Sequence, residues 1–200
     1  MLLPIFPLPN VVLFPGVPLP LHIFEPRYRA MVADALVGDR RIGMVLLRPA
    51  WERDYDGRPP IFPIGCSGVI VHATKLDDGR YNILLNGVER VRVVEEDHAR
   101  AYRRAVAEPM LDGPLSQADQ RALRDVRARI DVLLGKPDTL AAMPDIECIH
   151  TLAQTIDFDP IEKQALLERE NVRLRAESLL DLLEMRRAAA AMTAPPNRPQ

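Results

Sequence analysis

The 200 residues contain only two cysteines, Cys66 and Cys148. That is too few for a disulfide framework and fits a reducing compartment. Basic charge is not in excess: 26 lysines and arginines stand against 28 acidic residues. No net positive field is therefore available to gather nucleic acid or anionic lipid. Long apolar runs are missing as well. The apolar amino terminus has no basic residue before Arg27 and is interrupted by Pro4, Pro7, Pro9, Pro15, Pro18 and Pro20. A signal peptide or a membrane helix needs a longer unbroken run, so no membrane contact is expected and the expected address is the cytoplasm.

Catalytic signatures are equally scarce. The one Gly-Lys pair, Gly135-Lys136, is followed by Pro137 and has no glycine before it at phosphate-loop spacing, which excludes P-loop nucleotide hydrolysis. Three serines (Ser67, Ser116, Ser178) and three lysines (Lys75, Lys136, Lys163) form no nucleophile elbow. Cys148 and His150 are the one close cysteine-histidine pair, but two positions apart on a helix they face different directions, and zinc wants three or four ligands. The acidic runs Asp77-Asp78 and Glu95-Glu96-Asp97 read as solvated turns and strand ends. No catalytic residue, metal or cofactor is expected.

What is present divides near Asp112. Of 10 glycines, only Gly113 and Gly135 lie beyond Leu111, so the first part reads as strands and turns and the second as helices. Val17 to Ile23 alternates apolar residues with proline and suits an edge strand. Ile42 to Leu47, Gly65 to Thr74, Tyr81 to Leu85, Val88 to Val94 and Ala101 to Ala107 are the other strand candidates, spaced as in a bent antiparallel sheet or small barrel. Asp77-Asp78-Gly79 and Asn86-Gly87 both have the chemistry of tight hairpins. One helix begins at Pro26 and ends at Gly38, with Tyr28, Met31, Val32, Ala35 and Leu36 on one face.

Beyond Asp112, Ser116 with Asp119 caps a helix whose stripe is Leu123, Val126, Ile130, Leu133 and Leu134. Asp145 caps a second, with Ile146, Ile149, Leu152, Ala153 and Ile156 inward, and Asp159-Pro160 with Glu162 starts a third. A last helix runs from about Asn171 to Ala191. The expected class is α+β: a β-rich domain over 1–111 with one packed helix, a helical bundle over 112–192, and a disordered tail over 193–200.

The stretch Phe6-Pro7-Leu8-Pro9-Asn10-Val11-Val12-Leu13-Phe14-Pro15-Gly16, continuing as Leu19-Pro20-Leu21-His22-Ile23-Phe24-Glu25-Pro26-Arg27-Tyr28, resembles the opening of the Lon amino-terminal substrate-binding domain. Ile64-Gly65-Cys66, the run from Asp78 to Val91, and Lys163 to Glu168 with Arg173-Leu174 look like the same family, so the resemblance spans about Leu2 to Arg187. It implies a PUA-like antiparallel pseudo-barrel followed by a helical bundle, and recognition of protein substrates or partners rather than cleavage. Full-length Lon proteases continue into ATPase and protease modules. The resemblance here is to a free-standing domain without them, hence not an enzyme. Most apolar residues of the matching stretch read as core, and Glu25 with Arg27 or Arg29 as a helix-end pair.

A contact surface is expected in the loop from Arg48 to Arg58. There Trp51, the one tryptophan, lies near Tyr55 among Arg48, Arg53 and Arg58, and these residue types are enriched at binding hot spots. An ordinary surface loop with Trp51 folded back on the barrel fits the same residues. The leading expectation is a non-catalytic module that binds unfolded or apolar protein segments, or a partner protein. The alternative is RNA binding by a PUA-like fold, with the loop's aromatics stacking on a single strand. Weak homodimerisation through the last helix is a further partner reading.

Overall fold

The structure, a computed structural model, describes residues 1–54, 57–135 and 138–193. Its strands are β1 (Leu2–Leu8), β2 (Pro18–Ile23), β3 (Arg41–Leu46), β4 (Ile64–Lys75), β5 (Tyr81–Asp97) and β6 (Arg104–Met110), with helix α1 (Pro26–Val37) between β2 and β3. They form one sheet in the order β2-β5-β4-β3-β1-β6, and β6 also pairs with β5. The ring β5-β4-β3-β1-β6 is thereby closed, which removes all but one sheet edge. The fold is α+β, but the sheet is mixed rather than antiparallel as expected, because β1 and β3 run parallel. Between them the chain passes through β2 and α1, and a helical crossover returns it in the same direction.

Prolines inside β1 are tolerated because its two halves pair on opposite sides. Leu2 to Pro4 pair with β6, and Ile5 to Leu8 pair with β3. The Ile5 N–H donates to the Arg103 carbonyl on the β6 side. By the two-residue alternation, the amide that Pro7 lacks would point the same way, beyond the end of that pairing, and the one Pro4 lacks would point toward β3 before its pairing begins. The edge strand is β2, as its prolines lead one to expect. Val17 accepts from the Gly87 N–H, so Pro18 and Pro20 turn their missing donors outward. Gln154 covers that edge, donating from Nε2 to the Pro18 carbonyl at 3.1 Å and accepting from the Phe14 N–H at 2.9 Å.

Asp77-Asp78-Gly79 is a hairpin turn, with Gly79 at φ 81° and the Arg80 N–H bonded to Asp78 at 3.0 Å. Asn86-Gly87 is not. Both residues lie within the 17-residue β5, and the two strands expected on either side are one. The backbone of Phe14 to Val17 crosses Gly87 closely: the Gly16 N–H donates to Gly87 at 2.9 Å and the Gly87 N–H to Val17 at 3.0 Å. Glycine is needed there for approach, not for a turn. The strand expected from Ala101 starts instead at Arg104, since Tyr102 and Arg103 turn their side chains into the protein, 4% and 8% exposed.

The chain divides into two compact units, Met1–Leu111 with His150–Glu168, and Asp112–Ile149 with Arg169–Gln200. In unit 1 the apolar face of α1 (Tyr28, Met31, Val32, Ala35) packs with Phe6, Ile42, Met44, Ile70 and Leu85 in the main core. More than one helix packs on this sheet, a difference from the expected 1–111 domain. Helix α5 (Pro160–Leu167) belongs to the unit: Gln164 donates to the Ile64 carbonyl at 2.9 Å, and Arg90 donates to the Leu167 carbonyl. So do the residues of α4 (Asp145–Thr155) from His150 onward.

Unit 2 is built on α2 (Gln117–Leu133), the short α3 (Asp138–Ala141), the start of α4 and α6 (Val172–Thr193). Ser116 caps α2 by accepting from the Asp119 N–H at 3.1 Å. Leu123, Val126 and Ile130 of α2 and Ala176, Leu179 and Leu180 of α6 are buried. Arg127 is buried with them, where it pairs with Asp131 at 2.9 Å and donates to the Leu140 and Met143 carbonyls. Ile146, expected inward, is instead 44% exposed. The tail expected to be disordered lies, from residue 194 on, outside the described residues.

Candidate functional site

Short loops on a rigid sheet bring distant residues together, and the Arg48–Arg58 loop shows how. Trp51 opens a single 3-10 turn, Trp51–Asp54, and is half-buried. Arg48 is exposed and held at the loop's base, donating from Nε to the Ile61 carbonyl at 3.0 Å with its guanidinium 5.4 Å from the centre of the Phe62 ring. Arg53 is exposed. Arg58 is half-buried and stands 3.6 Å from a Glu96 oxygen. Tyr55 lies outside the described residues. Arg48 and Arg58 are thus anchored on different partners, and of the four expected contact residues that are described only Arg58 lines the neighbouring cleft.

That cleft has a volume of about 210 Å³. Pro7, Tyr28, Leu47, Pro59 and Tyr102 form much of its wall, and Arg27, Arg58 and Arg103 reach it from three segments. Arg27 comes from the first turn of α1, pairs with Glu25 at 3.0 Å and lies 4.7 Å from the centre of the Tyr28 ring. Arg103 donates from Nε to Glu96 at 2.8 Å, with a second bond from its Nη2, and from Nη1 to the Pro59 carbonyl at 2.7 Å. Arg27 and Arg103 were not candidates from the sequence. The available signal was Glu25-Pro26-Arg27-Tyr28, which reads locally as a helix start.

Tyr102 anchors the same wall. Its hydroxyl donates to Asp34 at 2.7 Å. Burial, then the Asp34 hydrogen bond and charge, raise the phenol above its ordinary value of 10.0. The neutral phenol is the form favoured by folding, so its contribution is complete below pH about 10 and fades as pH rises through the raised folded value. Tyr102→Phe is expected to cost about 1 kcal/mol at pH 7, discounted because Asp34 is half exposed. Urea titrations should show the gap to wild type closing above pH about 10. A gap constant with pH would contradict this assignment.

A second concavity belongs to unit 2 and is more open, at about 540 Å³. Leu123 and Val172 form its buried floor, and Pro114, Leu115, Pro144 and Ile146 its apolar sides. Asp112, Gln120, Arg124 and Asp145 stand on the rim. The capped start of α2 fixes one side, where Gln120 donates to the Leu115 carbonyl at 3.2 Å. Sequence pattern alone assigned Ile146 to a helix face and gave no sign of a groove.

The close cysteine-histidine pair of the sequence, Cys148 and His150, is buried and engaged. Burial pushes the Cys148 thiol up from its ordinary value, away from the nucleophilic thiolate. His150 hydrogen-bonds from Nδ1 to the Pro15 carbonyl at 2.8 Å. Among the described residues, no group of three or more His, Cys, Asp or Glu is arranged to hold a metal ion, and no helix is long and apolar enough to cross a membrane.

Comparison with known proteins gives consistent matches. The model of the ATP-dependent protease La (LON) substrate-binding domain matches residues 2–185. Lon protease 2 of Myxococcus xanthus is 30% identical over 196 residues, covering 92% of this chain and 24% of the relative. Lon protease of Escherichia coli K12 is 26% identical over 194 residues, covering 91% and 24%. The chain spans about a quarter of the length of these curated relatives. Among solved structures, the amino-terminal domain of Mycobacterium avium complex Lon protease aligns with a TM-score of 0.73 at 14% identity, covering 92% of this chain and 98% of that one. A Lon amino-terminal domain protein from Xanthomonas campestris aligns with a TM-score of 0.62 at 24% identity, covering 90% and 98%.

Proposed function

The chain belongs to the ATP-dependent protease La (LON) substrate-binding domain family, and from that premise we propose that it binds protein substrates without transforming them. It is read as a PUA-like pseudo-barrel with an appended helical unit, whose ligands are unfolded or apolar protein segments. The observation that carries the reading is the apolar groove of unit 2, with Leu115 and Ile146 at its sides and Leu123 and Val172 beneath. Such a groove rewards burial of an aliphatic side chain by about 1.5–3 kcal/mol, weak for one contact and useful when several act together. The Arg48–Arg58 loop, through Arg48, Trp51, Arg53, Tyr55 and Arg58, is proposed as a second contact surface.

The test is a titration of the purified chain with a permanently unfolded polypeptide and with single-stranded RNA, each at two salt concentrations. The polypeptide is expected to bind with little salt dependence, since apolar burial is not screened. Ile146→Asp, at an exposed position that folding tolerates, should weaken that binding about tenfold, the loss of one buried aliphatic contact. RNA binding that falls steeply with salt, with none of the polypeptide, would replace this reading.

A further inference from the structure

The floor of the unit 2 groove is apolar, but its rim carries charges that are not equivalent. Asp112 is engaged by Arg175, whose Nη1 stands 3.1 Å away. Asp145 stands 3.8 Å from Nη1 of Arg127, which it shares with Asp131. It also occupies the first turn of α4, where the helix amides favour a carboxylate. Arg124 is the exception. It is exposed on α2, lines the groove, and has no ion-pair partner among the described residues. Helix spacing gives the reason: the residues three and four positions away are Gln120, Arg121, Arg127 and Ala128, none of them acidic. An apolar chain laid in the groove therefore takes water from one side of a guanidinium that has no counter-ion of its own.

We infer that Arg124 makes this groove selective for apolar segments flanked by acidic side chains. The inference rests on the apolar reading of the same groove and adds a preference to it. An occupant with a neutral flank takes water from the guanidinium without replacing it, and one with a lysine sets a like charge beside it. One with glutamate or aspartate returns the lost hydrogen bonds to a planar two-oxygen acceptor, which a guanidinium fork matches. Apolar burial supplies the affinity, and Arg124 sets which segments receive it. Asp112 and Asp145 do not draw a basic flank to the same degree, because each already has a cationic partner.

The experiment is a fluorescence-anisotropy titration of the full chain against three labelled peptides. All share a core of leucine and alanine, flanked on both sides by glutamate, by glutamine or by lysine. The glutamate peptide is expected to bind about threefold more tightly than the glutamine peptide and about tenfold more tightly than the lysine peptide, the size of a partly exposed ion pair and of its reversal. Added salt should shrink both ratios, while the glutamine peptide holds its affinity. Arg124→Glu, at an exposed helix position where no ion pair is broken, should invert the order so that the lysine peptide binds most tightly. Arg124→Gln should bring the three peptides within about twofold of one another. The glutamine peptide tests the groove by itself: if Ile146→Asp does not weaken it, the apolar reading falls and this inference with it. If Ile146→Asp does weaken it, yet the three peptides bind wild type alike or Arg124→Glu leaves their order unchanged, the groove takes apolar chains without regard to charge and this inference alone is overturned.

Discussion

Gly87→Ala is expected to lower the unfolding free energy by more than about 3 kcal/mol, in the range reserved for substitutions that force backbone apart. A β-carbon at this position would stand 2.1 Å from the Phe14 oxygen, 2.9 Å from the Phe14 carbonyl carbon and 3.3 Å from the Pro15 α-carbon. All three are main-chain atoms, so no side chain can rotate to make room. Relief requires the Phe14–Val17 segment to lift, which breaks its two hydrogen bonds to Gly87 and uncovers Phe14, now fully buried. Urea denaturation followed by circular dichroism should show a lower midpoint with unchanged slope. Gly113→Ala is the control: nothing lies within 4 Å of its added carbon, and a change of less than about 1 kcal/mol is expected. A Gly87→Ala protein within 1 kcal/mol of wild type would refute the close-approach account of this glycine.

Asp112→Ala should be nearly as damaging, by about 3 kcal/mol, because it removes a carboxylate that faces a buried charge. Arg175 of α6 is fully buried, with Nη1 donating to Asp112 at 3.1 Å and Nη2 to the Arg169 carbonyl at 3.4 Å. Removing the acid takes the Asp112 carboxylate away from a guanidinium that stays desolvated. Replacing both residues removes the cost of burying the charge as well as the pair. The double variant Asp112→Ala, Arg175→Met is therefore expected to recover at least half of the loss, a departure from additivity of about 1.5 kcal/mol or more. Additive losses in denaturant titrations would show that the pair does not carry the stability of this region.

Local chemistry is legible in the sequence where a few neighbouring residues suffice. Ser116 caps α2, Pro26 opens α1, Asp159 with Glu162 opens α5, and Asp77-Asp78-Gly79 turns the β4–β5 hairpin. In each case both the signal and its partner lie within a few positions. Asn86-Gly87 misleads for the same reason: its local chemistry is that of a hairpin, while the residues that fix its conformation are Phe14 to Val17, some 70 positions earlier. The candidate site divides in the same way. Trp51 and its neighbouring arginines attract notice as a cluster along the chain, yet the cleft takes only Arg58 from them and draws Arg27 and Arg103 from other segments.

The sequence by itself determined the α+β class, the edge placement of β2, the helix starts and the family, because proline geometry, capping and an extended motif act over short range or accumulate along the chain. Tertiary structure alone decided the parallel β1–β3 pairing, the closure of the sheet through β5 and β6, the assignment of His150–Glu168 to unit 1, and the convergence of three arginines on one cleft. Each of these depends on contacts between residues far apart in the chain, where the choice among pairings is made by burial and hydrogen-bond satisfaction and leaves no mark in local pattern.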